Sequence, residues 1–175
     1  MKILVALDTN SQSSFVVGEV ARLASNTWAD VTLLGIESET SPDAKPLSAN
    51  QRINAAHPLA QSLRDYRALF LSQIKAEESP YAETVFDHKW VAVDSHLWED
   101  LKVCRGARKQ LTTRIRPGNP TRAVLAEVKQ YPCDLIVIGS ALDGDRGEIG
   151  RLSKKVIHEA DTSVLVVAKT KHPRR

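Results

Sequence analysis

The amino-acid sequence predicts an α/β domain with an open five-stranded parallel sheet and helices on both faces. Two patterns carry this prediction. Short, near-continuous apolar runs at Ile3 to Leu7, Val31 to Ile36, Leu135 to Ile138 and Val164 to Ala168 have the composition of strands buried on both sides. Between them lie longer segments whose apolar residues recur at helical spacing, and the alternation of strand and helix implies parallel pairing with right-handed crossovers. A chain of 175 residues with 42% apolar content is long enough to bury one core of this kind.

The first β-α-β unit is complete within residues 1 to 36. The run Ile3 to Leu7 stops at Asp8, and Asn10 to Ser14 is a polar cluster rich in helix-capping side chains. Phe15, Val16, Val20, Leu23 and Ala24 then share one helical face, and Asn26 and Asp30 bracket the return to the second strand. Residues 38 to 57 read as a variable loop, polar and broken by Pro42 and Pro46. A helix follows from about Pro58 to Glu78 on Leu59, Leu63, Tyr66, Leu69, Phe70 and Ile74, and Ser79-Pro80 ends it.

Residues 81 to 108 read as an insert holding Tyr81, Phe86, Trp90 and Trp98. Within it KWVAV reads as a strand and HLWEDLKVC as one or two helical turns. Its aromatics are expected to cover apolar surface or to meet a partner. The repeating order resumes with a strand from Gln110 to Ile115, the turn Pro117-Gly118-Asn119-Pro120 and a helix from Thr121 to Gln130. Leu135 to Ile138 ends in Gly139-Ser140, Ala141 to Gly150 is a glycine-rich loop, Leu152 to Ala160 is a helix and Val164 to Ala168 is the closing strand. There is no internal repeat, so residues 1 to 170 read as a single domain and residues 171 to 175 as a basic tail.

Several function classes are disfavoured. The formal charge is +3, part of it in Lys169, Lys171, Arg174 and Arg175, which read as a solvated terminus; no nucleic-acid partner is expected. Cys104 and Cys133 form no motif, which suits a reducing compartment, and a cytoplasmic location is expected. The opening MKILVALD lacks the length and cleavage site of a signal peptide, and no stretch is apolar for long enough to span a bilayer, so no membrane association is expected, although the chain as soluble part of a larger membrane protein stays open. His88, His96 and Cys104 are each separated by seven residues and lack the close ligand pair of a zinc site, so no metal site is expected. Cys133, just before an apolar strand, reads as core.

In open α/β sheets, ligands bind beyond the C-terminal strand ends. Asp8 closes the first strand, Ile36 and Glu37 close the second, and Gly139 opens the loop after Leu135 to Ile138. A glycine-rich loop running into a helix N-terminus suits an anion, because free backbone N–H groups and the helix dipole both favour negative charge. Asp8 reads equally as a helix cap, and the glycines equally as a surface loop.

Taken together, MKILVALD with its Ser-rich turn, PGNPTRAVLAEVKQYPCDLIVIGS and GRLSKKVIHEADTSVLVVA resemble the universal stress protein family over most of the chain, residues 38 to 57 and 81 to 108 excepted. The resemblance implies a Rossmann-like sheet of the adenine nucleotide alpha hydrolase-like kind, usually paired into a homodimer through the last strand, here Val164 to Val167. In nucleotide-binding members it implies a site with an aspartate after the first strand, the end of the second strand flanking the base, and a loop of Gly, two residues, Gly, nine residues, Gly, then Ser or Thr. Carried onto this chain, the site is Ala6, Asp8, Ile36, Ile138, Gly139, Ser140, Gly150, Arg151 and Leu152. The ligand is ATP or another adenine nucleotide, with magnesium if ATP binds. No catalytic residue is implied.

The loop departs from that pattern. Leu142 stands where the middle glycine would fall, with Gly144 and Gly147 displaced from it. Ten residues rather than twelve separate Gly139 from Gly150, and Arg151 replaces the hydroxyl residue. The loop also carries Asp143, Asp145 and Glu148. Unit charges ~4 Å apart interact by about 4 kcal/mol at a surface-like dielectric, so these carboxylates oppose a triphosphate, and Arg146, Arg151 or magnesium offsets part of that.

Two readings therefore remain. One is a regulatory stress-response domain that dimerises and binds an adenine nucleotide without efficient catalysis, hydrolysing ATP slowly at most. The other is an interaction module that binds no nucleotide and recruits an unknown protein partner through residues 81 to 108. Enzyme readings are weaker, because no general base stands beside an activated nucleophile. The first turn, DTNSQSS, lacks the serine-glycine-rich phosphate loop or histidine pair of related synthetases and nucleotidyl transferases, and there is no Walker loop. Arg116-Pro117 stands where a phosphate-receiver domain would need its aspartate.

Overall fold

The computed structural model describes residues 1–8, 11–37, 57–74, 80–81, 84–94, 96–105, 108–140 and 149–168, with backbone only for 11, 84–88 and 102–105. The elements are β1 (Lys2–Leu7), α1 (Ser11–Thr27), β2 (Asp30–Glu37), α2 (Pro58–Gln73), β3 (Thr84–Asp94), β4 (Leu97–Arg105), β5 (Leu111–Pro117), α3 (Pro120–Gln130), β6 (Leu135–Ser140), α4 (Arg151–Glu159) and β7 (Ser163–Ala168). They form one seven-stranded sheet in the order β3-β4-β5-β2-β1-β6-β7.

The five strands β5-β2-β1-β6-β7 are parallel throughout, as the apolar runs predict. The five-stranded expectation is corrected by the insert. β3 and β4 form an antiparallel hairpin that joins the sheet at the edge of β5. The segment read as helical turns, HLWEDLKVC, is almost wholly β4. Tertiary pairing decides this. Trp98 lies opposite Ile115 and Glu99 opposite Arg114, so the Trp98 ring enters the core beside Ile115. Strand preference of this kind follows from the surface a residue meets more than from its own propensity.

Successive residues of each strand feed opposite faces. Ile3, Val5, Leu7, Val31, Leu33 and Ile115 pack against α1 and α2 in the larger core, which also takes Tyr81, Trp90 and Trp98. These aromatics are therefore part of the main core rather than a cover over surface. Tyr81 meets Phe70 edge to face at 5.2 Å and donates its hydroxyl to the Ala29 carbonyl. Leu4, Ala6, Leu34, Ile136 and Ile138 meet Val124 of α3 and Val156 of α4 on the other face. Gly35 allows α2 to sit close, since a Cβ there would stand 2.8 Å from Leu63 Cδ1.

The helix starts follow local chemistry. Pro58 and Pro120 open α2 and α3 at the position where a missing N–H costs nothing. Asn119 caps α3 by accepting the Arg122 amide at 3.2 Å. α2 ends at Gln73, short of the expected Glu78; residues 75–79 lie outside the described residues.

A buried charge network fastens the hairpin. Glu127 of α3, 1% exposed, accepts from Arg114 Nη1 and from Arg116 Nε, both at 2.7 Å. Arg114 Nε also donates to Glu99 of β4 at 2.6 Å, and its guanidinium lies 3.7 Å from the Tyr131 ring centroid. Burial works against the Arg114 charge, but the hydrogen bonds to Glu127 and Glu99 outweigh it and hold the group above its usual range. No helix among the described residues is long and apolar enough to cross a membrane.

Candidate functional site

β1 and β6 run side by side, with Ala6 opposite Ile138. Beyond that pair the chain leaves in opposite directions: β1 leads to α1 on one face, and β6 leads towards α4 on the other. The divergence opens a crevice at the C-terminal rim, where ligands of open α/β sheets bind. It is a cleft of about 160 Å³. Ala6 and Leu7 of β1, Asp8 just beyond it, Ile36 of β2, and Ile138 and Gly139 of β6 line its base. Gln12, Ser13 and Val16 of α1, with Pro120 and Leu152, form its walls.

The polar end of the cleft is ordered by Ser13. Its hydroxyl donates to Asp8 Oδ1 at 2.9 Å and accepts from the Asp8 amide at 3.1 Å. Tyr66 of α2 donates its hydroxyl to the Asp8 carbonyl at 2.9 Å. Burial pushes the Tyr66 phenol up, so it stays a donor, while its hydrogen bond with Ser13 acts the other way. Asp8 is thus tied, through the Ser13 hydroxyl, to the first turn of α1, and it also lines the cleft.

Gly139 is there because α1 comes close: a Cβ at this position would lie 2.8 Å from Val16 Cγ2. Ser140, 3% exposed, accepts the Gly150 amide at 3.0 Å. At the end of β2, Glu37 pairs with His57 at 3.0 Å.

Of the residues anticipated from sequence, Ala6, Asp8, Ile36, Ile138, Gly139 and Leu152 line one cleft. Ser140 and Gly150 stand beside it and bond to each other. Arg151, at the start of α4, is exposed and does not line it. Leu7, Gln12, Ser13, Val16 and Pro120 were not anticipated; the Ser-rich turn and the Asn119-Pro120 helix start were their only signals. Leu142, Asp143, Gly144, Asp145, Arg146, Gly147 and Glu148, on which the phosphate-loop reading turned, lie outside the described residues. So do residues 38–56 and the basic tail.

Among the described residues no group of three or more His, Cys, Asp or Glu is placed to hold a metal ion, and the side chains of His88 and Cys104 lie outside that set. Cys133 packs at the margin of the smaller core, and burial pushes its thiol up, away from the reactive thiolate.

A family profile described as the universal stress protein family matches residues 1–168. Among solved structures, a universal stress protein in complex with cAMP is 16% identical, with a TM-score of 0.59 and 96% of each chain covered. The universal stress protein UspA from Lactobacillus plantarum is 19% identical, with a TM-score of 0.53, over 95% of this chain and 97% of that one. A universal stress protein from Archaeoglobus fulgidus in complex with dAMP is 15% identical, with a TM-score of 0.52, over 95% of this chain and 96% of that one. At these identities the likeness shows the fold alone. No curated protein matches the chain at a significant level.

Proposed function

The chain belongs to the universal stress protein family, and from that premise we propose that it is a regulatory domain whose cleft between β1 and β6 holds an adenine nucleotide without efficient turnover. The observation that carries the reading is the meeting of Asp8 and Gly139 in one cleft with an apolar floor. Ala6, Ile36 and Ile138 line the cleft with apolar side chains that suit a purine, and the Asp8 carboxylate offers acceptors to ribose hydroxyls. That division, mostly apolar with a few placed polar groups, is the usual make-up of a small-ligand site. The relatives crystallised with cAMP and dAMP support the same ligand class.

Weak or absent turnover follows from how the polar groups are used. Ser13 accepts the Asp8 amide while donating to its carboxylate, so its oxygen is poorly placed to attack a phosphorus. Mass spectrometry of nucleotides that co-purify with the protein, followed by calorimetric titration with adenine nucleotides, tests the reading. A bound adenine nucleotide is expected; absence of binding at millimolar ligand would remove it.

The reading also includes a homodimer along β7. This edge strand carries Leu165, 41% exposed, and an unpaired strand edge invites a second copy. Light scattering at high protein concentration is expected to give twice the chain mass, and a monomer would contradict the pairing. A second reading, an interaction module acting through the hairpin, is favoured by Val93 and Leu101, large apolar residues exposed on β3 and β4.

A further inference from the structure

We propose that the groove between α3 and the β3–β4 turn is a second site, which takes a small anion through a phosphate or carboxylate group. It opens on the same rim of the sheet as the cleft described above but shares no lining residue with it. It therefore does not rest on the adenine-nucleotide reading.

The groove has a volume of about 320 Å³, and its lining includes His96 between β3 and β4, Arg116 of β5, and Gly118, Arg122, Ala123 and Ala126 at the start of α3. Local sequence opens the space. Gly118 has φ 110°, a conformation that suits glycine, and donates its amide to the Glu37 carbonyl at 2.8 Å. The chain thereby turns from β5 into α3. Ala123 and Ala126, three positions apart, lie on one helix face, and their small side chains leave the gap beside the turn unfilled.

The chemistry of the lining has one sign. Among the described residues of the groove, His96, Arg116 and Arg122 are basic and none is acidic. Arg116 is 5% exposed and firmly held. Its Nε donates to Glu127 at 2.7 Å and its Nη2 to Gln130 at 2.6 Å. These bonds fix the guanidinium plane and leave Nη1 without a hydrogen-bond partner. A guanidinium held in this way is a preorganised donor for an oxyanion. Arg122 adds an exposed guanidinium with no side-chain partner among the described residues. Its amide is spent on Asn119, so side chains rather than the helix start supply the donors. The carboxylates that touch these residues are engaged. Glu127 is shared by Arg114 and Arg116, and Asp94 accepts from the His96 amide at 2.7 Å.

The test is amide NMR on the labelled full chain, titrated separately with inorganic phosphate, phenyl phosphate and succinate at constant ionic strength. Saturable shifts are expected at His96, Gly118, Arg122 and Ala123 with at least one of the three, and the probe that binds names the anion. Arg122→Ala is expected to keep wild-type stability and to weaken that binding by about tenfold, as loss of one charge-assisted hydrogen bond does. His96→Ala is expected to weaken it as well. Shifts that never saturate or that centre elsewhere overturn the site, and so does an affinity that Arg122→Ala leaves unchanged. Adenosine and AMP separate the two sites. Adenosine is expected to shift the β1–β6 cleft and not the groove. AMP shifts that saturate in both at one affinity would make the groove the phosphate end of the nucleotide site and overturn its independence. If adenosine fails to bind while phosphate still shifts the groove, the adenine reading falls and this one stands.

Discussion

Ser13 and Asp8 are joined by two reciprocal hydrogen bonds, in which the hydroxyl donates to the carboxylate at 2.9 Å and accepts from the amide of the same residue at 3.1 Å. The pair fixes the exit of β1 against the start of α1. Ser13→Ala is expected to cost about 1–2 kcal/mol, the usual range for a lost helix-end bond, and to weaken AMP binding because the Asp8 carboxylate loses its support. Asp8→Asn should weaken binding with a smaller effect on stability. Chemical denaturation and calorimetry on the two variants separate these effects. A Ser13→Ala chain as stable as wild type would contradict the structural half.

Gly139 lies where β6 and α1 nearly touch. Gly139→Ala places a methyl 2.8 Å from Val16 Cγ2 and is expected to destabilise by about 1–3 kcal/mol, as overpacking does. Val16→Ala on the same chain removes the clashing methyl. The double variant should be more stable than the sum of the two single losses predicts, because neighbouring sites couple. Strict additivity in urea unfolding would show that the close approach is not what selects glycine.

Glu127 stands between the buried Arg116 guanidinium and the partly buried one of Arg114. Glu127→Ala leaves Arg114 and Arg116 without their shared carboxylate, and breaking a buried pair in this way costs about 3–5 kcal/mol. Because Arg114 also reaches Glu99, the loss should spread to the hairpin. Hydrogen exchange of β4 amides is expected to accelerate more than that of β1. Equal acceleration in both strands would mean that the network stabilises the domain as a whole without fastening the hairpin in particular.

Tyr81 gives a pH signature. Burial, helped by the nearby Asp30 charge, pushes its phenol up to about 12 from an ordinary value of 10.0. The folded chain therefore holds this proton more tightly than the unfolded one. The stability contributed is fully present below about pH 10 and is lost as pH rises towards 12. Unfolding free energy should fall through that window, and Tyr81→Phe should remove part of the fall. An identical alkaline profile for the variant would contradict the assignment.

The sequence made the parallel core legible because β1, β2 and β6 are largely buried and read, together with the edge strand β7, as near-continuous apolar runs. The hairpin was not legible. Glu99, Asp100 and Lys102 break the apolar pattern of β4, and the reason for Glu99 is a partner on β5, Arg114, that local periodicity cannot see. The tryptophans misled in the same way: Trp90 and Trp98 sit among charged residues in the chain but are buried in the core. In the site, Asp8, Ile36 and Gly139 could be placed because strand ends mark the rim. Ser13, Val16 and Pro120 escaped because their roles depend on how closely α1 and α3 approach the sheet. Ser140 was anticipated, but its bond to Gly150 was not, since a contact across ten positions leaves no local trace.

The proposed seat of an adenosine moiety is the cleft at the β1 and β6 strand ends. Titration with adenosine, followed by backbone-amide NMR on the labelled chain, tests it most directly. The largest shifts are expected on Ala6 to Asp8, Ser13, Ile36 and Gly139. Shifts centred instead on the opposite rim, at Lys2, Thr112 and Tyr131, or no shifts at saturating adenosine, would contradict it.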